Sequence, residues 1–574
     1  MRKSWVQLYA PFLVLALVQA LLIVVAPSRG EQAANVATGG LGSTSGVDAN
    51  GDGVTDPGAA TDGSGVASDG SAIGGTDGTG GTGGAGGGSG SGGTTGGSGG
   101  GGGTGVAVNA GSIAHCRDGK QVPILRVSPP CKATFAGNNG GATYQGVTDK
   151  EIKIVYFSSQ PNEQVDAILK TQGLAVDEKT QMDAVNQYVK FINDHYELYG
   201  RKMVIKRIVG DCPTTPPDYD KCNAAAQAVV KEHPFAVIWA TSLYATVYDI
   251  WARAGIISLG GSSFDVSYYT RDRPYRYDVG MDGTQSADQI AEYYCKKMAN
   301  GKADHAGNVI HPTIGGRSTP RKLGIIVPEI EANVLTAKRV AAKVNACNGS
   351  QGAPLIRTYA SDIETATQQT QTTVSALIAG KITTIVCMCD PIAPVFLTKG
   401  LTGNGYFPEF LMPGLGLLDY DVLGRLYDPQ QMAHAFGPSQ LPVLGSLDDA
   451  DQSRVWRATG RTGHPCDTNG CGLQWAYFNV MAMGLMMAGP NLNPSSFERG
   501  MLVDLPDLYG GVTTSLWNWG PGDYTGGADE KEVYWDANAR SAVDGKAGAY
   551  VPMNGGRRYQ LGQWTTGLKG IPVR

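Results

Sequence analysis

Two short hydroxyl-rich stretches carry the clearest chemistry in this 574-residue sequence. Thr241 and Ser242 follow the apolar run Phe235 to Ala240, and Gly260, Gly261, Ser262 and Ser263 follow Ile256 to Leu259. Each run has the length and composition of a short buried strand, and a helical pattern comes next. Hydroxyls and free backbone N–H groups at a helix start suit a carboxylate or another anion. The bland alternative is that they are ordinary helix caps. Glu329, Asp390 and Asp419 follow three further strand-like runs, Leu323 to Val327, Thr383 to Met388 and Glu409 to Met412. A ligand with an ammonium group would engage one of these carboxylates, although acids at such positions more often cap helices or face solvent. Tyr244 and Phe264 beside the hydroxyl stretches are candidate apolar walls, and equally candidate core.

Catalytic signatures are sparse. The sequence holds no Gly-x-Ser-x-Gly elbow, no His-Glu-x-x-His and no phosphate loop. Its 7 histidines are scattered and none is paired at metal-ligand spacing. The expectation is a protein without catalysis and without a cofactor. One local motif points to a cation: Asp48, Asn50, Asp52 and Asp56 have the oxygen spacing of a calcium loop, with Gly53 at the sharp turn. Ala59 occupies the twelfth position, where the bidentate acid belongs, so the choice is between a weak calcium site and a solvated acidic stretch.

With 46 basic and 51 acidic side chains the formal net charge is −5, which leaves no footprint for binding nucleic acid. The 10 cysteines include close pairs: Cys116 with Cys131, Cys212 with Cys222, and Cys466 with Cys471. In an oxidising compartment such spacings read as loop-closing disulfides. Sequence leaves the pairing of Cys295, Cys347, Cys387 and Cys389 open.

The N-terminal segment 1–30 agrees with export. After Arg2 and Lys3, Trp5 to Pro27 is free of charge, a run that spans roughly 35 Å as a helix. It reads as an uncleaved membrane anchor or as a signal peptide, and either one exports the rest of the chain. Segment 31–110 has 31 of the chain's 82 glycines and few large apolar residues, so it cannot offset its own ordering entropy. It is a flexible tether; Thr38 to Gly105 alone has a root-mean-square span of about 45 Å.

What must position the candidate residues is a series of alternating apolar strands and amphipathic helices, the pattern of parallel sheets with crossover helices. Strands are expected at Glu151 to Phe157, Lys202 to Val209, Phe235 to Ala240 and Ile256 to Leu259, with helices between. The rhythm restarts after Gly283, with strands at Leu323 to Val327, Leu355 to Tyr359, Thr383 to Met388 and Glu409 to Met412. Leu473 to Met487 is apolar nearly all round and reads as a buried helix. Pro494 to Leu505 follows as a helix capped by Asn493, and the aromatic, glycine-rich end as hairpins.

This order of elements resembles the solute-binding proteins of branched-chain amino-acid ABC importers, with a type I periplasmic binding fold. The resemblance runs from about Ala142 to Trp564. It is carried by GATYQGVTDKEIKIVYF (Gly141 to Phe157), VIWATS (Val237 to Ser242), ISLGGSS (Ile257 to Ser263) and the closing aromatic hairpin. The stretch Cys131 to Tyr144 is similar to an extension of actinobacterial members. The resemblance implies an α/β protein of two lobes, each a parallel sheet flanked by helices. Lobe one would be 147–279 with a return from about 414–515, and lobe two 280–413 with hairpins at about 516–574, preceded by a cysteine-containing extension at 111–146. It further implies capture of a small polar solute, an amino acid or small carboxylate or amide, by a monomer that serves an ABC permease outside the cytoplasm. Thr241, Ser242, Gly261, Ser262 and Ser263 would hold the ligand's anionic end, and Glu329, Asp390 or Asp419 the other. A sensing or adhesion ectodomain, and a hydrolase without a recognisable motif, are the alternatives. The protein anchor, long tether and long C-terminal region depart from the family's usual pattern.

Overall fold

In the computed structural model the described residues are 116–171, 173–174, 176–213, 215–239, 244–260, 264–348, 351–466, 470–508 and 514–574. The N-terminal apolar segment, the tether and the Asp48, Asn50, Asp52 and Asp56 loop lie outside them.

The first sheet has five parallel strands in the order β2-β1-β3-β4-β5: β1 (Glu151–Ser159), β2 (Lys202–Gly210), β3 (Ala236–Trp239), β4 (Ile257–Gly260) and β5 (Arg276–Tyr277). Between them run α1 (Glu163–Lys170), α2 (Glu178–His195), α3 (Tyr219–Val230), α4 (Ala245–Arg253) and α5 (Val266–Arg271). β4 is buried at every position, as a strand covered on both faces by helices should be.

A crossing at Asp278 to Asp282 leads to α6 (Gly283–Lys297). Asp282 and Gln285 cap its start reciprocally, each side chain bonding the other's backbone N–H. A short ribbon, β6 (Val309–His311) with β7 (Gly315–Gly316), precedes the second sheet. That sheet has the path β14-β13-β12-β11-β10-β8-β9, with β15 on β13. Its parallel part is β8 (Leu323–Pro328), β9 (Leu355–Tyr359), β10 (Thr384–Cys387), β11 (Glu409–Leu411) and β12 (Ala435–Ser439). Helices α7 (Glu331–Cys347), α8 (Ala366–Ala379) and α9 (Ala393–Gly403) connect these strands, with one-turn helices α10 (Asp421–Gly424) and α11 (Pro429–Met432). Antiparallel β13 (Asp529–Arg540), β14 (Ala547–Pro552) and β15 (Arg558–Gln560) close it. The structure is thus α/β with two separate sheets.

The chain returns to the first core later than 414. β12 is a strand of the second sheet, because it pairs with β11 and β13. The return is made by α12 (Asp451–Ala458), α13 (Gly470–Ala488) and α14 (Pro494–Arg499). Most of α13 is buried, and its Trp475 and Phe478 meet Tyr188 and Tyr156 edge-on or tilted, with ring centroids 5.4 and 5.8 Å apart. Trp519 and Tyr524 also belong to the first core, so 516–524 does not go with the C-terminal hairpins.

The extension before β1 is fastened by polar contacts. Arg201, 4% exposed, donates to the carbonyls of Asn139, Gly141, Thr148 and Pro490, which ties the extension to the loop after α13. Asp451 accepts from the N–H groups of Arg126 and Val127. Five disulfides join the ten cysteines: Cys116–Cys131, Cys212–Cys222, Cys295–Cys347, Cys387–Cys389 and Cys466–Cys471.

Candidate functional site

In parallel sheets the carboxyl ends of the strands present loops and helix starts, the usual seat of a ligand. β3 and β4 lie side by side with Trp239 opposite Gly260, so the loops that follow them leave the sheet from adjacent positions. Those loops hold Thr241, Ser242, Gly261, Ser262 and Ser263, which lie outside the described residues. Their flanks are described. Tyr244, 2% exposed, packs on Tyr219 with the rings tilted and their centroids 4.3 Å apart, and donates to the Pro213 carbonyl at 3.3 Å. Phe264, also 2% exposed, packs on Tyr248 and on the Arg276 guanidinium. Both aromatics are therefore core of the first lobe.

The three acids of the second lobe are in three different states. Glu329 is exposed, and its backbone N–H donates to the Tyr359 carbonyl. Asp390 follows β10 and is saturated: one carboxylate oxygen accepts from the Tyr359 hydroxyl at 2.6 Å, the other from the N–H groups of Ile392 and Ala393 at 2.9 and 3.0 Å. It braces the start of α9 and orients Tyr359. Asp419, after β11, is 3% exposed, and neither of its oxygens has a hydrogen-bond partner among the described residues. A buried carboxylate without partners costs several kcal/mol in a static site, so this is the acid whose hydrogen-bonding capacity is open.

Beneath Asp419 lies a group that the sequence reading missed. β13 runs antiparallel to β12, so its first residues sit at the carboxyl end of the sheet, with Lys531 opposite Ser439. Lys531 donates to the Ser439 hydroxyl at 2.6 Å and to the Leu441 carbonyl at 2.7 Å. Burial pushes its ammonium down to about 7, against the opposing pull of Asp419. Glu530, fully buried, has no hydrogen-bond partner on either oxygen among the described residues, and burial holds its carboxyl well above the ordinary range. The signal was the run Asp529-Glu-Lys-Glu532 placed directly before the apolar Val533-Tyr-Trp535, which reads as a solvated hairpin start but is buried throughout.

Elements of the two lobes meet at these strand ends. One cavity has Thr215, after β2, on one side and Tyr359, Asp362, Asp390 and Phe396 of the second lobe on the other. α1, which leaves β1, packs Ile168 and Leu169 against the second core. In the reverse direction Ala332, at the start of α7, is buried in the first core. Among the described residues no group of three His, Cys, Asp or Glu side chains is placed to hold a metal, and no helix is long and apolar enough to cross a membrane.

No protein-family model and no curated protein matches the sequence. Solved structures do. A fatty acid ABC transporter substrate-binding protein from Thermomonospora curvata aligns with a TM-score of 0.50 at 14% identity, covering 75% of this chain and 99% of its own. An ABC transporter substrate-binding protein from Aeropyrum pernix aligns at 0.49 and 11%, covering 72% and 96%. A solute-binding protein from Rhodopseudomonas palustris, in complex with 3,4-dihydroxybenzoic acid, aligns at 0.47 and 12%, covering 72% and 98%. With its two sheets and its strand-end cleft, the chain has the two-lobed type I periplasmic binding fold of ABC-transporter substrate-binding proteins.

Proposed function

We propose that this protein is an extracytoplasmic solute-binding protein that captures a small polar ligand, an amino acid or a small carboxylate or amide, between its lobes and delivers it to an ABC permease. The observation that carries this reading is the meeting of strand-end elements from both sheets around one cavity, since a ligand that touches both lobes stabilises the closed arrangement by its differential affinity. Thr241, Ser242, Gly261, Ser262 and Ser263 would receive the anionic end. Asp419 would receive the cationic or donor end, with Asp390 and Glu329 shaping the mouth. The five disulfides support an oxidising compartment. The segment 1–30 would hold the protein at the membrane or direct its secretion, and 31–110 would let a monomer range over the surface.

Titration calorimetry against a library of amino acids and small carboxylates tests the reading. Losing one charge-assisted hydrogen bond costs about 1.5–3 kcal/mol, so Ser242→Ala should weaken binding roughly tenfold to a hundredfold while the protein stays folded. Binding of a macromolecule with no small ligand would favour the adhesion reading, and turnover of a library member would favour an enzyme.

A further inference from the structure

The cavity at the lobe boundary does not stop at the strand ends. It continues between α8 and α9 of the second lobe, where its walls are Ile326, Ile363, Ala366, Ala393 and Phe396. Two small residues, Ala366 and Ala393, leave the gap open. The far end is shut: at Gly400 the helices lie so close that a Cβ there would stand 2.2 Å from Thr370 Cγ2. The result is a blind, mainly apolar slot of about 50 Å³. That is room for about three or four groups the size of a water or a methylene. The mouth belongs partly to the first lobe, through Thr215, whose carbonyl accepts from the side chain of Asn162, the cap of α1.

We propose that this slot is a subsite for a short unbranched aliphatic chain on the captured solute, which makes the ligand an amphiphile with its tail between α8 and α9. This rests on the capture reading above. A mainly apolar slot gains affinity in proportion to the methylenes that fill it. Because Thr215 completes the mouth from the other lobe, the filled slot is enclosed only when the lobes are together. Tail length therefore adds to closure as well as to contact.

The test is calorimetry of the full-length chain against straight-chain monocarboxylates from acetate to decanoate and the matching straight-chain α-amino acids. Affinity is expected to rise about fourfold per added methylene for about three or four methylenes, then level off or fall. Ala366→Leu and Ala393→Leu, each filling the slot from a different helix, should remove this gain. The proposal is overturned if short members bind and chain length has no effect, or if both folded variants keep the full gain. If both variants unfold, the wild-type series decides alone. If no member of either series binds at any length, the capture reading itself fails, and the subsite with it.

Discussion

Three buried acids at the two ends of the second sheet are held in opposite ways. At the amino end Glu409, fully buried, has every acceptor position used: Arg321 grips both oxygens at 2.8 Å, Thr384 donates at 2.7 Å and the His305 N–H at 3.1 Å. At the carboxyl end Asp419 and Glu530 are as well buried and have no partner among the described residues. Burial alone would have equated them. Satisfaction separates them: a saturated acid holds elements together, whereas an unsatisfied one spends stability and leaves acceptors for something else. Among these three acids, the end that faces the other lobe is the end with open acceptors.

Removing the acid at the amino end should cost the most stability. Glu409→Ala leaves Arg321 buried without its partner and should cost about 3–5 kcal/mol in denaturant unfolding. Asp419→Asn should cost under about 1 kcal/mol, because no native bond is lost. Equal losses would erase the distinction. The disulfides extend it. Cys295–Cys347, which ties the last turns of α6 and α7, spans 52 residues and should contribute about 4 kcal/mol by constraining the unfolded chain. Cys387–Cys389, beside Asp390 at the carboxyl end, spans 2 and should contribute little by that route. Paired Cys→Ala variants compared by chemical denaturation check both values.

At the carboxyl end the expected effects are on binding. Asp419→Asn should lower the affinity for a ligand with an ammonium or other donor head roughly tenfold to a hundredfold, read by calorimetry. The smallest effect is on pH dependence. Lys531 has a folded value near 7 against 10.5 for the free side chain, so between those limits the unfolded chain binds the extra proton. Stability should therefore rise with pH over that window, by at most about 1.4 kcal/mol per unit, and its cost is fully present below pH 7. Lys531→Met should flatten that rise; an unchanged slope would place the proton elsewhere.

Much of the fold was legible because buried parallel strands are largely apolar runs: IVYF at the end of EIKIVYF, FAVIWA and LGIIV stand out from their surroundings. Leu355–Tyr359 matches its strand at both ends, and the all-apolar α13 was readable as buried. β12 was not, since Ala-Phe-Gly-Pro-Ser has weak strand propensity and gains its place only by lying between β11 and β13. α1 carried a signal, Asn162 as cap before Val165, Ile168 and Leu169, but its apolar face finds its partner in the other lobe, which a local pattern does not reveal. The strand-end acids were readable as candidates by position. Their ranking was not, because whether a carboxylate is saturated, as at Asp390, or open, as at Asp419, depends on neighbours distant in sequence.

A small solute that joins the two lobes must draw them together. Small-angle scattering of the protein with and without each calorimetry hit measures this directly. A smaller radius of gyration is expected with one ligand class, with the compaction reduced in Ser242→Ala and in Asp419→Asn. A ligand that binds without changing the radius of gyration in the wild type would contradict it.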